Sequence, residues 1–482
     1  MSLAISDCTQ NFIQGEWTAG TSSATIPVTN PATGDLLGSV PDCRERDAVR
    51  AVEAAEGAAA RWAGMPAVER ERVLLRAHDL MLQHAEDLAQ IITLEEGKPL
   101  AEARAEVSYG ASFVRWYAAE GRRLYGDIVP SPDPGRHLLV FREPVGPTLV
   151  ITPWNDPFAM VTRKVAPALA AGCPVVIKPA RETPFSAAAA VRLFAEAGVP
   201  PGVINLVTTS RSGAVCDAML SHLAIRHVTF TGSTEVGKLL GARAGALVKG
   251  MTMELGGHAP FVVFEDADLD EAVTGLLARK FRNAGQTCSC PSRLFLQEGI
   301  ADAFLEAFID GMKRIVVGNG MAPGVTMGPL INPAAVEKVQ AHVADAVAKG
   351  ARVIPGGQRH GDGRGSFLAP TVLTHVRPHM LVAQDETFGP VAPFFRFRDE
   401  AELSSIVNHP TYGLTGYCYT RDLSRAFRVT AALRCGFIGL NDPAPQSAEV
   451  PMGGVRESGV GREGGRWGID EFVTVKYVSL RV

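Results

Sequence analysis

The sequence has no apolar stretch approaching the roughly 20 residues that a membrane-spanning helix requires. It also has no excess of basic residues, because 47 lysines and arginines stand against 51 aspartates and glutamates. The formal net charge of −4 provides no electrostatic footprint for nucleic acid or for an anionic membrane. Residues 1–12 lack a basic region followed by an apolar segment, so we expect no signal peptide. These absences predict a cytoplasmic protein that binds neither nucleic acid nor membranes.

Cysteine patterns typical of disulfide frameworks and zinc sites are missing as well. The eight cysteines are scattered along the chain, and only Cys288 and Cys290 lie close together. No second pair and no histidine cluster completes a zinc-binding set, so no metal is expected. In a chain of this length, scattered cysteines favour reduced thiols over disulfides.

What is present is a long pattern of alternating strands and helices. The 482 residues are too many for one hydrophobic core and predict two or three domains. Residues 45–120 have apolar side chains at helical spacing. Short apolar strands then alternate with helices from Thr148 to Glu254, which favours a parallel, doubly wound sheet. One of these helices is predicted to begin at Pro184, with Thr183 as its capping residue.

A second alternating block follows Gly256 and predicts a second α/β domain. Its strands are expected at 259–264 and 293–297, and its helices at 269–282, 300–315 and 333–349. Two further strands, at 137–141 and 471–482, lie outside both blocks. They can pair with each other, pair with another subunit, or complete an internal sheet.

The segment FRNAGQTCSC at 281–290 is the most informative part of the chain. Residues 283–286 resemble a helical segment that leads into Cys288. A cysteine in such a loop is a candidate nucleophile, because its thiolate can be held within reach of a substrate. Most lone cysteines, however, are small buried apolar residues, so this segment does not decide the matter by itself.

Three more segments, in a fixed order, change that balance. They are TPWNDP at 152–157, FTGSTEVG at 230–237 and MELGG at 253–257, followed by FRNAGQTC. Further segments of the same set are ETFGP at 386–390, Asn441 and the glycine-rich GGVRESGVGREGG at 453–465, so that the set is spread from residue 152 to residue 465. In combination these motifs resemble the aldehyde dehydrogenase superfamily. The sequence around residues 160–180 and 280–290 is most similar to that of succinate-semialdehyde dehydrogenases.

The resemblance implies roles for three catalytic residues. Cys288 would attack the aldehyde carbon, and Asn155 would donate its side-chain amide to the oxygen that becomes negative. Glu254 would activate the water that hydrolyses the thioester, and a partly desolvated carboxylate suits that role. Taken singly, Asn155 is equally a turn residue and Glu254 an ordinary glutamate at the end of a strand.

The resemblance also implies an NAD(P) site. Gly232 and Ser233 match the turn that approaches the pyrophosphate, where backbone N–H groups at a helix start favour an anion. Glu386 and Phe388 match residues that hold the nicotinamide riboside. The remaining residues predicted to bind the cofactor are Thr152, Trp154, Lys178, Ala180, Arg181 and Leu255. Because Arg181 stands where the family usually has glutamate, we predict that NADP is accepted as well as NAD, and is favoured.

Three residues match the family's pocket for a substrate carboxylate. Arg163 and Arg282 match its two arginines, and Ser447 matches its hydroxyl partner; bidentate arginine is well suited to a buried carboxylate. This match predicts a carboxylate-bearing semialdehyde such as succinate semialdehyde. Alternatively, the two arginines form structural ion pairs.

Two residues depart from the family pattern, and they leave open the possibility of a different substrate. Asp156 replaces an aromatic residue of the family pattern and is expected to repel a nearby carboxylate or to bind a polar or cationic group. Met452 replaces an aromatic residue before Gly453, which predicts a tunnel mouth of different shape. An aromatic or other aldehyde is therefore the alternative substrate. A CoA-acylating relative is disfavoured because it needs no water-activating Glu254, and a scaffold role is disfavoured by the intact catalytic set.

The predicted architecture is an α/β fold with a Rossmann-like parallel-sheet cofactor domain, an α/β catalytic domain and a small β oligomerisation arm. Residues 1–126 and 143–254 are assigned to the first, 255–440 to the second, and 127–142 with 468–482 to the arm. The predicted partners are a small-molecule aldehyde and further copies of the chain, in a homodimer or homotetramer. A redox switch between Cys288 and Cys290 remains a further hypothesis, although so short a loop strains a disulfide.

Overall fold

A computed structural model describes residues 3–354, 356, 358–359 and 364–481. The outermost residues of the predicted ranges 1–126 and 468–482, and six positions within 255–440, therefore lie outside the described residues. The helices are α1 (Glu45–Ala63), α2 (Ala67–Gln83), α3 (Ala85–Glu96), α4 (Leu100–Glu120), α5 (Pro157–Ala171), α6 (Pro184–Glu196), α7 (Ser212–Ser221), α8 (Thr234–Ala246), α9 (Leu269–Lys280), α10 (Glu298–Met312), α11 (Pro333–Ala348), α12 (Leu381–Gln384), α13 (Glu400–Ile406), α14 (Leu423–Ala432) and α15 (Gly465–Asp470).

The strands form four sheets. They are β1 (Asn11–Ile13), β2 (Glu16–Thr18), β3 (Thr25–Thr29), β4 (Leu36–Pro41), β5 (Asp127–Val129), β6 (Arg136–Pro144), β7 (Thr148–Ile151), β8 (Val175–Lys178), β9 (Ile204–Leu206), β10 (His227–Thr231), β11 (Gly250–Glu254), β12 (Ala259–Val263), β13 (Pro291–Gln297), β14 (Arg352–Val353), β15 (Thr371–Thr374), β16 (Val391–Phe397), β17 (Thr415–Tyr419), β18 (Phe437–Leu440), β19 (Gly459–Val460) and β20 (Val473–Arg481). The predicted α/β architecture is confirmed.

The first sheet has eight strands in the order β19-β11-β10-β7-β8-β9-β1-β2. Its centre, from β11 to β9, is parallel, as the alternating pattern predicted. Its edges are antiparallel: β1 and β2 close one side, and β19 closes the other against β11. The sequence did not reveal these edge strands, because two- and three-residue strands carry too little periodicity.

The second sheet has seven strands in the order β14-β15-β16-β13-β12-β17-β18. Only the edge strand β14 is antiparallel to its neighbour; the pairs from β15 to β18 are parallel. Helices α9, α10 and α11 contribute Leu276, Phe304, Phe308 and Val339 to the core beneath this sheet. The helix bounds fall within a few residues of those that the apolar spacing predicted.

The third sheet combines distant parts of the chain. Strand β6 pairs with β20 in nine consecutive antiparallel positions, from Val473 opposite Pro144 to Arg481 opposite Arg136. The short strand β5 completes the sheet on the other side of β6. Of the three pairings that the sequence left open, pairing within one chain is therefore present. No helix among the described residues is both long and apolar enough to cross a membrane.

Helix α6 begins at Pro184 as predicted, but its cap is different. Thr183 occupies the capping position without a side-chain hydrogen bond. Instead, the buried carboxylate of Glu95, at the end of α3, accepts the backbone N–H groups of Phe185 and Ser186 at 2.8 and 2.7 Å. A carboxylate is favourable there because the first N–H groups of a helix have no partner within it. The sequence could not indicate this cap, because Glu95 is distant in the chain.

Candidate active site

The carboxyl ends of the parallel strands of the first sheet meet at one edge. Register places Thr231 opposite Glu254, and Phe230 opposite Ile151. The turns that follow β7, β10 and β11 therefore lie side by side, which is where ligands bind in open α/β sheets. A cavity of about 320 Å³ opens at this edge. Its walls include Trp154, Asn155, Asp156, Met160, Gly232, Ser233, Leu255, Cys288, Lys338, Glu386 and Phe388.

We predicted a helical segment leading into Cys288, and the structure shows that this prediction is wrong. Asn283, Ala284 and Gly285 have φ angles of 49°, 53° and 78°, in the left-handed region. A Cβ on Gly285 would lie 2.2 Å from the carbonyl oxygen of Gly389, so no larger residue fits there. The backbone N–H of Asn283 donates to Glu102 at 2.8 Å, and its side-chain amide donates to Glu96 at 2.7 Å. These buried contacts from α3 and α4 hold the strained loop in place.

The Cys288 thiol lies half-buried in the cavity wall. Burial raises the pKa of this thiol to about 12, while the positive charge of Arg163 acts in the opposite direction. The next residue, Ser289, is fixed from behind: Arg279 donates to its hydroxyl at 2.8 Å, and the Tyr417 hydroxyl donates to its carbonyl at 2.8 Å. The thiol is thus positioned rigidly, in surroundings that favour its protonated form.

Asn155 lines the same cavity as Cys288. Its side-chain N–H donates to the carbonyl of Gln286 at 3.0 Å, which ties the turn after β7 to the cysteine loop. Its own carbonyl accepts from Lys98 at 2.7 Å and from the Asn283 side chain at 3.0 Å. An amide nitrogen carries two N–H groups, so one remains to serve an oxygen in the cavity.

Glu254 ends β11 and is 5% exposed, immediately before Leu255 in the cavity wall. Burial raises the pKa of this carboxyl to about 7, although Arg163 acts to lower it. The nearest arginine atom, Nη2 of Arg163, is 3.6 Å from Oε2. The other oxygen, Oε1, is buried without a hydrogen bond among the described residues. A carboxyl in this state can accept a proton near neutral pH.

The predicted substrate residue Arg163 is not in the cavity wall. Its guanidinium pairs with Glu463, which also pairs with Lys164, so both cations of α5 meet one carboxylate. All three side chains are buried. Glu463 lies in the glycine-rich segment 453–465, and this position is the one feature of the sequence that could have indicated a role for it. The structural ion pair that we considered as an alternative for Arg163 is therefore present.

The second predicted arginine, Arg282, also forms an ion pair. Its Nη2 lies 3.3 Å from Oδ1 of Asp156, and Lys98 Nζ lies 3.0 Å from the same oxygen. Lys98 is fully buried and further donates to Glu106 at 2.6 Å. Burial opposes the charged form of Asp156, but Lys98 and Arg282 outweigh it and lower its pKa. Asp156 is therefore a paired carboxylate, and of the two expectations for it the binding of cationic groups is the one present. No motif in the sequence pointed to Lys98 as one of those cations.

Two other substrate-related predictions are placed differently. Ser447 is half-buried in the segment between β18 and β19 and is not in the cavity wall. Its neighbour Gln446 accepts from Arg279 at 2.7 Å, the arginine that also holds Ser289. Met452 is 1% exposed, and its sulfur accepts from the Tyr109 hydroxyl at 3.3 Å. Met452 is therefore a core residue, and its effect on the shape of a tunnel mouth stays a prediction.

The hypothesis of a Cys288–Cys290 switch gains no geometric support. Cys290 is buried, and its sulfur accepts from the Lys280 ammonium group at 3.2 Å. The same sulfur lies within 3.7 Å of the Lys280 carbonyl. Both cysteines are free thiols.

The other part of the cavity contains predicted cofactor residues. Trp154 and Phe388 meet edge to face, with ring centroids 5.6 Å apart. Glu386 accepts the backbone N–H of Gly257 at 3.2 Å, and burial raises the pKa of its carboxyl to about 7. Ser233 caps α8 by accepting the N–H of Val236 at 3.3 Å. These residues lie together with Gly232 and Leu255 around one opening.

Four predicted cofactor residues lie beside this cavity and not in its wall. Thr152 directly follows β7 and Lys178 ends the neighbouring β8. A 3.2 Å backbone hydrogen bond joins the two residues, and both are buried along with Ala180. Arg181 is mostly exposed and pairs with Glu182 at 2.9 Å. It lines an adjoining cavity of about 410 Å³, which shares Ile331 and Asn332 with the first.

These walls fit a nicotinamide dinucleotide. The thirteen-residue helix α8 directs its free N-terminal N–H groups at the opening, which suits a pyrophosphate. A Cβ on Gly256 would lie 3.0 Å from Glu386 Oε2, so the absence of a side chain keeps that carboxylate accessible beside the cavity. An aromatic pair and a carboxylate suit the apolar ring and the hydroxyl groups of a nicotinamide riboside. Among the described residues, no group of three or more metal-ligating side chains could hold a metal ion.

Comparison with known proteins places this geometry in a family. The sequence pattern of the aldehyde dehydrogenase family matches residues 17–478, and the chain belongs to that family. It is an NAD(P)-dependent aldehyde dehydrogenase, as its motifs predicted.

Individual relatives are similar over nearly their full length. The chain is 49% identical to the NADP(+) succinate-semialdehyde dehydrogenase of Escherichia coli (strain K12), covering 98% of this chain and 97% of that one. It is 50% identical to 3-sulfolactaldehyde dehydrogenase of Pseudomonas putida, covering 98% and 96%. The crystal structure of succinate-semialdehyde dehydrogenase from Burkholderia pseudomallei matches with a TM-score of 0.96, 50% identity and 98% coverage of both chains.

Proposed function

We propose that this enzyme oxidises an aldehyde that carries an anionic group, with succinate semialdehyde as the first candidate, to the corresponding acid. The observation that carries this proposal is the shared wall that brings Asn155 and Cys288 together, with the buried Glu254 directly preceding the wall residue Leu255. The names of the similar enzymes support an anionic aldehyde, since they act on succinate semialdehyde and 3-sulfolactaldehyde.

In the proposed mechanism, the Cys288 thiol first releases its proton to solvent, and the thiolate that results adds to the aldehyde carbon. The oxygen that becomes negative accepts the free side-chain N–H of Asn155 and the backbone N–H of Cys288. A bound nicotinamide dinucleotide supplies the hydride acceptor, and a thioester on Cys288 remains. Glu254 then removes a proton from water, the hydroxide adds to the thioester, and the thiolate leaves as the acid forms. The unpaired Oε1 of Glu254 is the oxygen available for that proton.

We infer that Trp154, Gly232, Ser233, Leu255, Glu386 and Phe388 hold the nicotinamide half of the cofactor, and that Thr152, Lys178 and Ala180 border its adenosine half. NADP is proposed as the favoured cofactor because Arg181 offers a cation on an open surface beside this site. Its pairing with Glu182 weakens that charge, so the proposal includes use of NAD.

The alternative is an aldehyde without a carboxylate, such as an aromatic aldehyde. Arg163 and Arg282 are both already paired with carboxylates, which favours this alternative over a simple cationic pocket. A panel of succinate semialdehyde, glutarate semialdehyde, benzaldehyde and a neutral alkanal decides between them by kcat/KM. Higher values for the two acids support the proposal, and equal or higher values for the neutral aldehydes contradict it.

The proposed assembly is a homodimer or homotetramer through the arm. The sheet of β5, β6 and β20 leaves the apolar side chains of Ile128, Phe141, Val475 and Tyr477 exposed. A small sheet that leaves this much apolar surface exposed within its own chain is stabilised by contact with another copy.

A further inference from the structure

The wall of the cavity beside the Cys288 thiol contains a carboxylate, Asp156, so this cavity is not lined by cationic side chains alone. Both of its ionic contacts, with Lys98 and with Arg282, are made by Oδ1. Oδ2 has no hydrogen-bond partner among the described residues, and it is not enclosed by protein. One carboxylate oxygen is therefore an open acceptor in the wall that also contains Cys288.

The surrounding charges fix Asp156 in this orientation. Lys98 has three donors, and they are used by Glu106, the Asn155 carbonyl and Asp156. Arg282 adds a second cation against the same oxygen. Because both cations contact the same oxygen, they hold the carboxylate in place and leave its other oxygen without an ionic contact.

The pairing also changes what Arg282 can do. A guanidinium that already neutralises Asp156 attracts a substrate anion less strongly than a free one would. The guanidinium keeps further N–H donors, and its Nη2 lies 3.3 Å from Oδ1 of the same carboxylate whose Oδ2 is the acceptor. The two groups together therefore suit a substrate that carries a hydrogen-bond donor as well as an anionic group.

We propose that Asp156 is a specificity-determining residue that accepts a hydrogen bond from a hydroxyl group of the substrate, so that the preferred aldehyde is a hydroxylated anionic one. This inference rests on the proposed function, since it specifies the substrate class of the same site. An unsubstituted semialdehyde leaves Oδ2 of Asp156 without a hydrogen-bond partner when it displaces water from the cavity. A charged acceptor atom that loses its hydrogen bond in this way costs free energy of binding.

The test compares four aldehydes that differ by one group: succinate semialdehyde, its 2-hydroxy and 3-hydroxy derivatives, and its 2-amino derivative. The wild-type enzyme is expected to show a kcat/KM about tenfold or more higher for one hydroxy derivative than for succinate semialdehyde, the size of a hydrogen bond to a charged group. Asp156→Ala should bring that ratio close to one. Asp156→Asn, which keeps the volume and an acceptor, should give an intermediate ratio.

The ratio within each variant is independent of the fraction of active enzyme, so partial misfolding of a variant does not affect it. Asp270→Asn, at an exposed position on α9, is the matched control and should retain the wild-type ratio. A wild-type ratio near one, an unchanged ratio in Asp156→Ala, or a preference for the 2-amino derivative would each overturn the inference. If succinate semialdehyde is oxidised as well as its hydroxy derivatives, the proposed function stands without it. If a neutral alkanal matches every anionic aldehyde, the proposed function itself fails.

Discussion

Nη2 of Arg163 lies 3.6 Å from Oε2 of Glu254, so a residue predicted to bind substrate is paired with the residue predicted to activate water. Arg163 also pairs with Glu463, and all three side chains are buried. A cation in this position influences the protonation of Glu254 whether or not it touches a substrate. The structure thereby offers a role for Arg163 that the motif alone did not suggest.

Substitution of Arg163 is expected to affect both pKa and stability. Arg163 lowers the pKa of Glu254, so Arg163→Ala should move the ascending limb of the kcat pH profile to higher pH. The same change leaves Glu463 with Lys164 alone, and we expect a loss of about 3 kcal/mol, the lower end for breaking a buried ion pair. Urea unfolding and kcat between pH 5 and 9 measure the two effects. An unchanged pH limb would show that Arg163 does not act on Glu254.

Replacement of Glu254 should separate the two halves of the reaction. Glu254→Gln preserves shape but cannot take a proton, so kcat is expected to fall about 10²- to 10⁴-fold. A single turnover of reduced cofactor per active site should persist, because the thioester still forms. Stopped-flow absorbance at the reduced nicotinamide band measures the burst. Loss of the burst together with the steady state would contradict a role in hydrolysis.

The wild-type enzyme should have a pH dependence set by the same carboxyl. Burial raises the pKa of Glu254 to about 7, and the deprotonated form is the one that accepts a proton. The hydrolysis rate should therefore rise as pH increases through about 7 and level off above it. Steady-state kcat, measured where hydrolysis limits the rate, tests this. A flat profile across neutral pH would argue against Glu254 as the base.

Charge reversal at Arg181 should change the choice of cofactor. Arg181→Glu places a negative charge where a 2′-phosphate would be attracted, and the kcat/KM for NADP relative to NAD should fall about tenfold or more. Arg211→Glu, another exposed arginine, is a suitable control for the general change of surface charge. A wild-type preference for NAD that Arg181→Ala leaves unaltered would end the proposal.

The unexpected helix cap gives a stability test with a built-in comparison. Glu95→Ala leaves the buried N–H groups of Phe185 and Ser186 without their acceptor, and should cost about 2–3 kcal/mol. Thr183→Val should cost far less, because the Thr183 hydroxyl makes no cap bond. Chemical denaturation of both variants provides the comparison. A larger loss for Thr183→Val would show that the sequence pattern, and not Glu95, identified the cap.

By itself, the sequence determined which kind of protein this is. Short strands that are apolar at every or nearly every position, such as TLVI and VVIK, must be buried on both faces. Strands of this kind, separated by helices, are typical of a parallel sheet covered on both sides. The glycines and the cysteine of the motifs are local requirements of turns and chemistry, and their order along the chain sufficed to predict the family.

Only the tertiary structure decided the partners of the charged residues. Lys98, Glu95 and Glu463 lie far in sequence from Asp156, Phe185 and Arg163, yet they meet them in the core. A buried charge must find an opposite charge or a donor, but the sequence does not say which one lies nearby. Folding brings those groups together, and it therefore determines whether an arginine is free for a substrate or already paired.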